Sequence, residues 1–396
     1  MSATVSRVAL ILVLAAAACA RPKVSIPIPE ISPDEIAAIS LDSSVWRMAA
    51  DRDRLRRASV PVPAARSTPR VGAHAEPLAP SAATVRYLDF ADITPDAANA
   101  SPTRETLRYD RGPAVVRAQV LLDRANFSVG AISGRAGKTT QIAIYWFQYS
   151  QRLTPTGVLD STTYNRLASV AGTDHVIAEF TVDQESLKGP FSPVPHNVYE
   201  QAKLPCLCYS SPLELLAERF HTTPELLQQL NPKARFGALV AGEKIFVPSV
   251  ERPPDPLRKA IARIHISKTG NYVQALAADG SIVFHFPSTL GSMYDPSPDG
   301  SWEVTAIARN PTFRYDPTLF SDVPDSKPKA RLPAGPNSPV GTVWIALSKE
   351  HVGIHGTPSP ETIGLASSHG CVRLTNWDAE NLADAAAPHL PVEFVL

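Results

Sequence analysis

Residues 351–374 read H-V-G-I-H-G-T-P-S-P-E-T-I-G-L-A-S-S-H-G-C-V-R-L, and this stretch decides how the rest of the chain is read. It sets two His-Gly pairs, His355-Gly356 and His369-Gly370, within reach of one cysteine, Cys371, which Arg373 follows. A thiol becomes a good nucleophile near neutral pH only where an imidazole or a positive dipole favours loss of its proton. A cysteine with a neighbouring histidine is therefore the minimum for covalent acyl transfer. Residues 343–347 and 352–354 are β-branched and interrupted by glycine, which predicts strands and puts His351, Gly353 and His355 on one face. Pro358, Pro360 and Gly364 predict a loop returning to Ser368, His369, Gly370 and Cys371. Gly370 leaves no Cβ in the way of a substrate, and the amides around it are free to face a developing oxyanion. Thr375, or Asn376 beside it, is expected to cap a helix whose apolar stripe runs through Trp377, Leu382 and Ala385.

Ile354-His355-Gly356 followed by Ser368-His369-Gly370-Cys371-Val372-Arg373-Leu374 resembles the active-site signature of the L,D-transpeptidase catalytic family. The resemblance implies a cysteine acyltransferase acting on the peptide stems of bacterial peptidoglycan. It implies Cys371 as nucleophile and His355 as base, with the Gly356 carbonyl orienting the imidazole. The amides of Gly370 and Cys371 would form the oxyanion hole, and Arg373, with Ser368 and His369, would meet substrate. His369 either tunes the thiolate or shapes the loop. Neither metal nor cofactor is implied. A zinc site from His351, His355, His369 and Cys371 is the competing arrangement, and it lacks the helical H-E-x-x-H spacing.

The chain's 396 residues exceed one ordinary core and predict two or three domains. Lys plus Arg and Asp plus Glu both total 38, so no strong field favours nucleic acid or an anionic membrane. The 38 prolines cluster in stretches that read as linkers. Residues 9–18 form an apolar run behind Arg7 and end at Cys19, the anatomy of an export signal over residues 1–19 and too short for a membrane span. Cys19 also resembles a lipoprotein box, with Ala16 where that box prefers leucine, so lipidation of Cys19 and simple cleavage after Ala18 both stay open. Either way the chain is expected to be exported to the periplasm or cell envelope. Residues 20–110 are rich in Pro, Ala, Ser and Arg, with only short periodic pieces such as 33–50, and read as a flexible tether. The patch Arg52, Arg54, Arg56 and Arg57 reads as a solvated charge run interleaved with Asp51 and Asp53.

Between 111 and 170 helical periodicity returns. Val115, Val116, Val120 and Leu121 fit one helix face, and Ile142, Ala143, Tyr145, Trp146 and Phe147 fit a second. Asp160 caps a third helix carrying Tyr164 and Leu167. With the connecting residues 127–130, 132–139 and 156–160, this three-helix unit resembles the peptidoglycan-binding domain 1 family. Over 204–250, Ser211-Pro212-Leu213-Glu214 and Thr222-Thr223-Pro224-Glu225 open two helices, with strands expected at 206–209 and 244–247. That βααβ order, with Leu230-Asn231-Pro232, Gly242 and 245–248, resembles a LysM domain, and the resemblance implies binding of N-acetylglucosamine-containing glycans. Cys206 and Cys208 are read as two buried thiols, favoured over a bond in so tight a ring.

From 259 to 396 the chain is strand-rich, with runs at 263–267, 272–277 and 282–286 joined by turns into a meander, then 301–308 and a last strand at 392–395. Residues 311–339, with Phe313, Tyr315 and Phe320, read as a functional loop walling a cleft. The expectation is a multi-domain chain: a mainly-β L,D-transpeptidase domain preceded by a three-helix domain and a LysM-like βααβ domain. Its partners would be the stem peptides and glycan strands of peptidoglycan, not nucleic acid, with a lipid anchor at the membrane as one option. The resemblance implies 3-3 cross-linking through a thioester on Cys371. The same chemistry with water or a protein amine as acceptor gives an L,D-carboxypeptidase or a protein-anchoring enzyme. From other classes, a non-catalytic wall-binding scaffold and a zinc peptidase stay open. The accessory modules are expected to act as tethers, and the thiol to ionise below its usual value of about 8.5.

Overall fold

A computed structural model describes residues 93–103, 110–172, 175–251, 260–320 and 323–396. The export signal with Cys19, the arginine patch at 52–57 and most of the expected tether lie outside the described residues. Within them, no helix is long and apolar enough to cross a membrane.

The first module holds helices α1 (Pro95–Asn99), α2 (Pro113–Arg124), α3 (Lys138–Ser150) and α4 (Ser161–Ala171). The last three are those the periodicity predicts, and the Asp160 side chain caps α4 by accepting from the Thr163 amide at 2.7 Å. Trp146, Phe147, Leu121 and Leu167 form the fully buried centre. Each side chain of this size contributes roughly 1.5–3 kcal/mol by leaving water. Helix α1 falls inside 20–110, the region expected to be mostly tether, and belongs instead to the folded module. Ile93 and Ala98 enter the same core, while the Asn99 side chain bonds both the amide and the carbonyl of Ile177 at 2.9 Å.

The second module has strand β1 (Ile177–Thr181), then α5 (Val198–Gln201), α6 (Pro212–Arg219), α7 (Pro224–Leu230) and β2 (Lys244–Pro248), with β1 antiparallel to β2. Ser211 and Thr223 cap α6 and α7 as their positions require. The two expected helices and the closing strand are present, but the short α5 is an addition to the expected βααβ order and the first strand is β1, not 206–209. Leu207 cannot serve β2 because its backbone is committed elsewhere: its amide donates to the Ala334 carbonyl and its own carbonyl accepts from the Asn337 amide, both at 2.9 Å. A second correction falls beside it, since Cys206 and Cys208 form a disulfide and are not free thiols.

The third module is built on β3 (Ile261–Ser267), β4 (Tyr272–Ala277), β5 (Ile282–Pro287), β6 (Gly300–Arg309), β9 (Val343–Leu347), β10 (Gly353–His355), β11 (Val372–Arg373) and β12 (Pro391–Val395). A small hairpin, β7 (Phe313–Tyr315) with β8 (Ala330–Leu332), stands apart, and helix α8 (Asn376–Ala385) packs on the sheet. The eight strands lie in the order β11-β10-β9-β6-β12-β3-β4-β5. The predicted meander β3-β4-β5 is present, while β12 slots between β6 and β3, parallel to the latter. Ile264, Phe284, Ile345, Ile354, Val372 and Leu382 are among the residues that close the core.

The modules are packed together through buried contacts. Trp146 meets Tyr272 edge-on at 5.5 Å, and the Ser128 amide donates to the His285 carbonyl at 2.9 Å. The first turn of α8 is held by both accessory modules. The Ser128 hydroxyl donates to Asp378 Oδ2 at 2.8 Å, and the His221 ring stacks on Trp377 at 5.1 Å. The Asn376 amide donates to Glu218 Oε2 at 2.9 Å. The first module also meets the second directly, since His221 Nδ1 lies 3.0 Å from Asp123 Oδ2.

Candidate active site

Register places the site. Strand β10 pairs with β9 so that Ile354 faces Ile345 and His355 faces Trp344, and it runs parallel to β11 so that Ile354 faces Val372 and His355 faces Arg373. Ile345, Ile354 and Val372 are fully buried in the core, so the period of two turns Trp344, Gly353, His355, Cys371 and Arg373 to the opposite face. The catalytic candidates therefore share one face of a sheet edge. A Cβ at Gly353 would come within 2.6 Å of the Trp344 indole, which lies across this position and also stacks on His355 at 5.3 Å and 20°. The sequence reading passed over Trp344, although its place in the alternating run 343–347 put it on the histidine's side.

His355 is buried, and its Nδ1 donates to the Gly356 carbonyl at 2.7 Å. A carbonyl only accepts, so the proton sits on Nδ1 and Nε2 is left as the acceptor. Burial, seconded by the Arg373 charge and opposed by the Gly356 bond, pushes the imidazole down to about 4. Burial also pushes the Cys371 thiol up, with the Gly353 amide and the Arg373 guanidinium pulling against it. This corrects the expectation of a lowered thiol. Desolvation outweighs the nearby positive charge, and near neutral pH the pair rests as thiol and neutral imidazole. The thiol points to the His351 carbonyl at 3.6 Å.

The turn carrying Cys371 is fixed from below. The Ser368 hydroxyl donates to the Cys371 carbonyl at 2.5 Å, and the Ser368 amide donates to the Leu290 carbonyl at 2.7 Å. Ser368 is buried, so it builds the turn. Gly370 has φ +100°, a conformation that L side chains rarely adopt. The Arg373 backbone exchanges both bonds with Thr289, while its guanidinium reaches the Ser367 carbonyl at 3.4 Å. Asp378 is buried and accepts from the Ser128 hydroxyl. His369 is exposed, its ring edge-on to Phe320 at 5.0 Å, and Phe320 stacks on Tyr315 at 5.4 Å. Residue Phe320 of the 311–339 stretch thus reaches the Cys371 turn. Among the described residues, no three His, Cys, Asp or Glu side chains are gathered as a metal would require.

Thr375 settles the choice of cap for α8, accepting from the Asp378 amide at 3.2 Å. Asn376 is freed for another task. Its Oδ1 accepts from the Thr342 amide at 3.3 Å and fills the space that a Cβ at Gly356 or Gly341 would need, 2.2 and 2.0 Å away respectively.

Comparison with known proteins gives two family matches: the L,D-transpeptidase catalytic domain over residues 261–393, and a family described as "Putative peptidoglycan binding domain" over 111–167. The "Putative L,D-transpeptidase YkuD" of Bacillus licheniformis is 33% identical over 171 residues, covering 43% of this chain and 86% of that protein. Its counterpart in Bacillus subtilis is 30% identical over 172 residues, covering 43% and 85%. Among solved structures, an L,D-transpeptidase from Mycobacterium smegmatis aligns at 20% identity over 40% of this chain and 65% of that one, with a TM-score of 0.29, too low to carry an argument.

Proposed function

The chain belongs to the L,D-transpeptidase family and is an acyltransferase; from that premise we propose that it forms 3-3 cross-links in peptidoglycan through a thioester on Cys371. The observation that carries this reading is the shared face of β10 and β11, which presents Cys371, His355 and Arg373 side by side with Nε2 of the imidazole left as acceptor. Because thiol and imidazole rest neutral, His355 acts as a general base at the moment of attack. The thiol turns from the His351 carbonyl, gives its proton to Nε2, and the sulfur attacks the carbonyl of the third stem residue. The amides of Gly370 and Cys371 hold the oxyanion. The imidazolium then returns the proton to the departing D-alanine. The side-chain amine of a second stem attacks the thioester and releases the thiol, closing the cross-link. Arg373 orients the donor, and His369 with Phe320 shapes the rim.

The "Putative peptidoglycan binding domain" match supports the wall polymer as partner of the first module. The two capped helices α6 and α7 between the paired strands β1 and β2 support the LysM-like reading of the second. An export signal, with Cys19 as a lipid anchor, would place the chain in the envelope where this substrate lies. Mass analysis of muropeptides after incubation of sacculi with the purified chain tests the proposal. 3-3 dimers are expected, whereas tripeptides alone would make it an L,D-carboxypeptidase.

A further inference from the structure

We infer that Asn376, held by Glu218 of the second module, is a positioning residue for His355, so that the accessory module forms part of the catalytic geometry. The inference rests on His355 being the base. Its ground is an unbroken run of contacts. Glu218 Oε2 accepts from Asn376 Nδ2 at 2.9 Å, and the Pro336 carbonyl accepts from the same nitrogen at 3.2 Å. These two bonds leave the amide one orientation, with Oδ1 turned to the glycines. There Oδ1 occupies the space beside both Gly341 and Gly356, so the Gly356 backbone rests on it. The Gly356 carbonyl in turn accepts from the Nδ1–H of His355 and fixes both ring angle and tautomer. A side chain that slides or flips at 376 would move the carbonyl and leave Nε2 off the line to Cys371.

The chemistry of Glu218 fits this role. It is buried, with a carboxyl oxygen shared between Asn376 Nδ2 and the Tyr209 hydroxyl, which donates at 3.4 Å. Glu214 and Glu380 add negative charge nearby, and burial pushes the Glu218 carboxyl up to about 8. A buried carboxyl is costly unless its acceptors are used, and here one of them is used on a residue of the catalytic domain. The surrounding contacts repeat the pattern. Glu214 accepts from Asn337 Nδ2 at 2.7 Å, and the Cys206–Cys208 loop pairs with residues 334–337 on the way to Gly341.

The test uses the full-length chain, steady-state turnover of a soluble donor tetrapeptide with an amine acceptor, and thermal melting to establish that each variant is folded. Assayed at about pH 9, above the raised Glu218 value, N376D sets two carboxylates against each other and is expected to lower kcat by about tenfold with KM little changed, because a small misplacement of the base is felt in the chemical step. E218Q in that background restores the bond with donor and acceptor exchanged, and is expected to return kcat to within about twofold of the parent. N376A should behave as N376D without that rescue. Turnover of folded N376D and N376A equal to the parent, or a change in KM alone, overturns the inference. H355A separates the two levels: if it too turns over normally, the reading of His355 as base fails, whereas its loss beside normal N376D and N376A removes only the positioning role.

Discussion

Trp344 and His355 lie opposite each other across β9 and β10, their rings 5.3 Å apart and 20° from parallel, with the indole also covering Gly353. The imidazole is thus pinned on its face by the indole and at Nδ1 by the Gly356 carbonyl. W344A should free one of these restraints, costing roughly 2 kcal/mol of stability through the void and about tenfold in kcat. W344F, which keeps a ring in place, should stay within about threefold of the parent. Thermal melts and steady-state kinetics check both, and unchanged kcat in W344A would leave the stacking without a catalytic part.

Nucleophile and base separate in a covalent assay. Acylation by a carbapenem, whose strained lactam carbonyl offers the sulfur an acyl group to open, should give one adduct by intact mass, absent in C371A. In H355A it should form at least about a hundredfold more slowly, the scale of a lost general base. An adduct persisting in C371A would remove Cys371 from the centre of the mechanism.

The neutral resting pair has its own signature. With His355 pushed down to about 4 and Cys371 pushed up, alkylation of Cys371 by iodoacetamide should keep rising with pH beyond the usual thiol value of about 8.5. A pre-formed thiolate–imidazolium pair would instead level off below neutrality. Turnover, which needs neutral His355, should fall only as the pH drops toward about 4. R373A should move the alkylation profile to higher pH, since the guanidinium favours the thiolate.

Stability should respond to pH through the module junction. Burial and the neighbouring Asp123 push Asp378 up to about 7, and burial pushes Glu218 up to about 8. Both folded values lie above the unfolded ones of about 4, so their contribution is fully present below that pH and is lost progressively as pH rises through the folded values. The melting temperature should therefore decline from about pH 5 to about pH 9, and less so in D378N and E218Q. A flat profile in the parent would show that neither carboxyl resists ionisation.

A chain beginning at residue 260 should not behave as an independent domain. It would uncover Tyr272 and Trp377 and leave Asp378 without Ser128 and Asn376 without Glu218, polar losses of about 1–3 kcal/mol each. Lower melting temperature, aggregation and reduced turnover on soluble peptides are expected. Parental activity from that fragment would return the accessory modules to the role of tethers.

Local features were legible in the sequence. Periodicity marked α2 to α4, and Asp160, Ser211, Thr223 and Thr375 marked helix starts, because a cap bonds within three residues of itself. The glycines and β-branched residues around 343–355 marked β9 and β10, and alternation put His351, Gly353 and His355 on one face, whereas Cys371 was expected on a loop and only the pairing of β11 with β10 brought it to that face. The pairing of β1 with β2 was missed because it joins segments more than 60 residues apart across the intervening helices, and the run at 206–209 offered a nearer strand. The disulfide was misjudged for a similar reason, since sequence spacing does not give the path of the backbone.

The sequence by itself determined the nucleophile candidate, its histidine and the order of a helical peptidoglycan-binding-like unit before a mainly-β catalytic domain, since these follow from residue types and spacings a few positions wide. Tertiary structure alone decided that Trp344 lies over the imidazole, that Asn376 seats Gly356, and that Glu218, Ser128 and His221 all converge on the first turn of α8. The ionisation of the site belongs with them. A histidine beside a cysteine reads as a lowered thiol on paper, but burial disfavours both charges, and burial is a property of how distant segments pack.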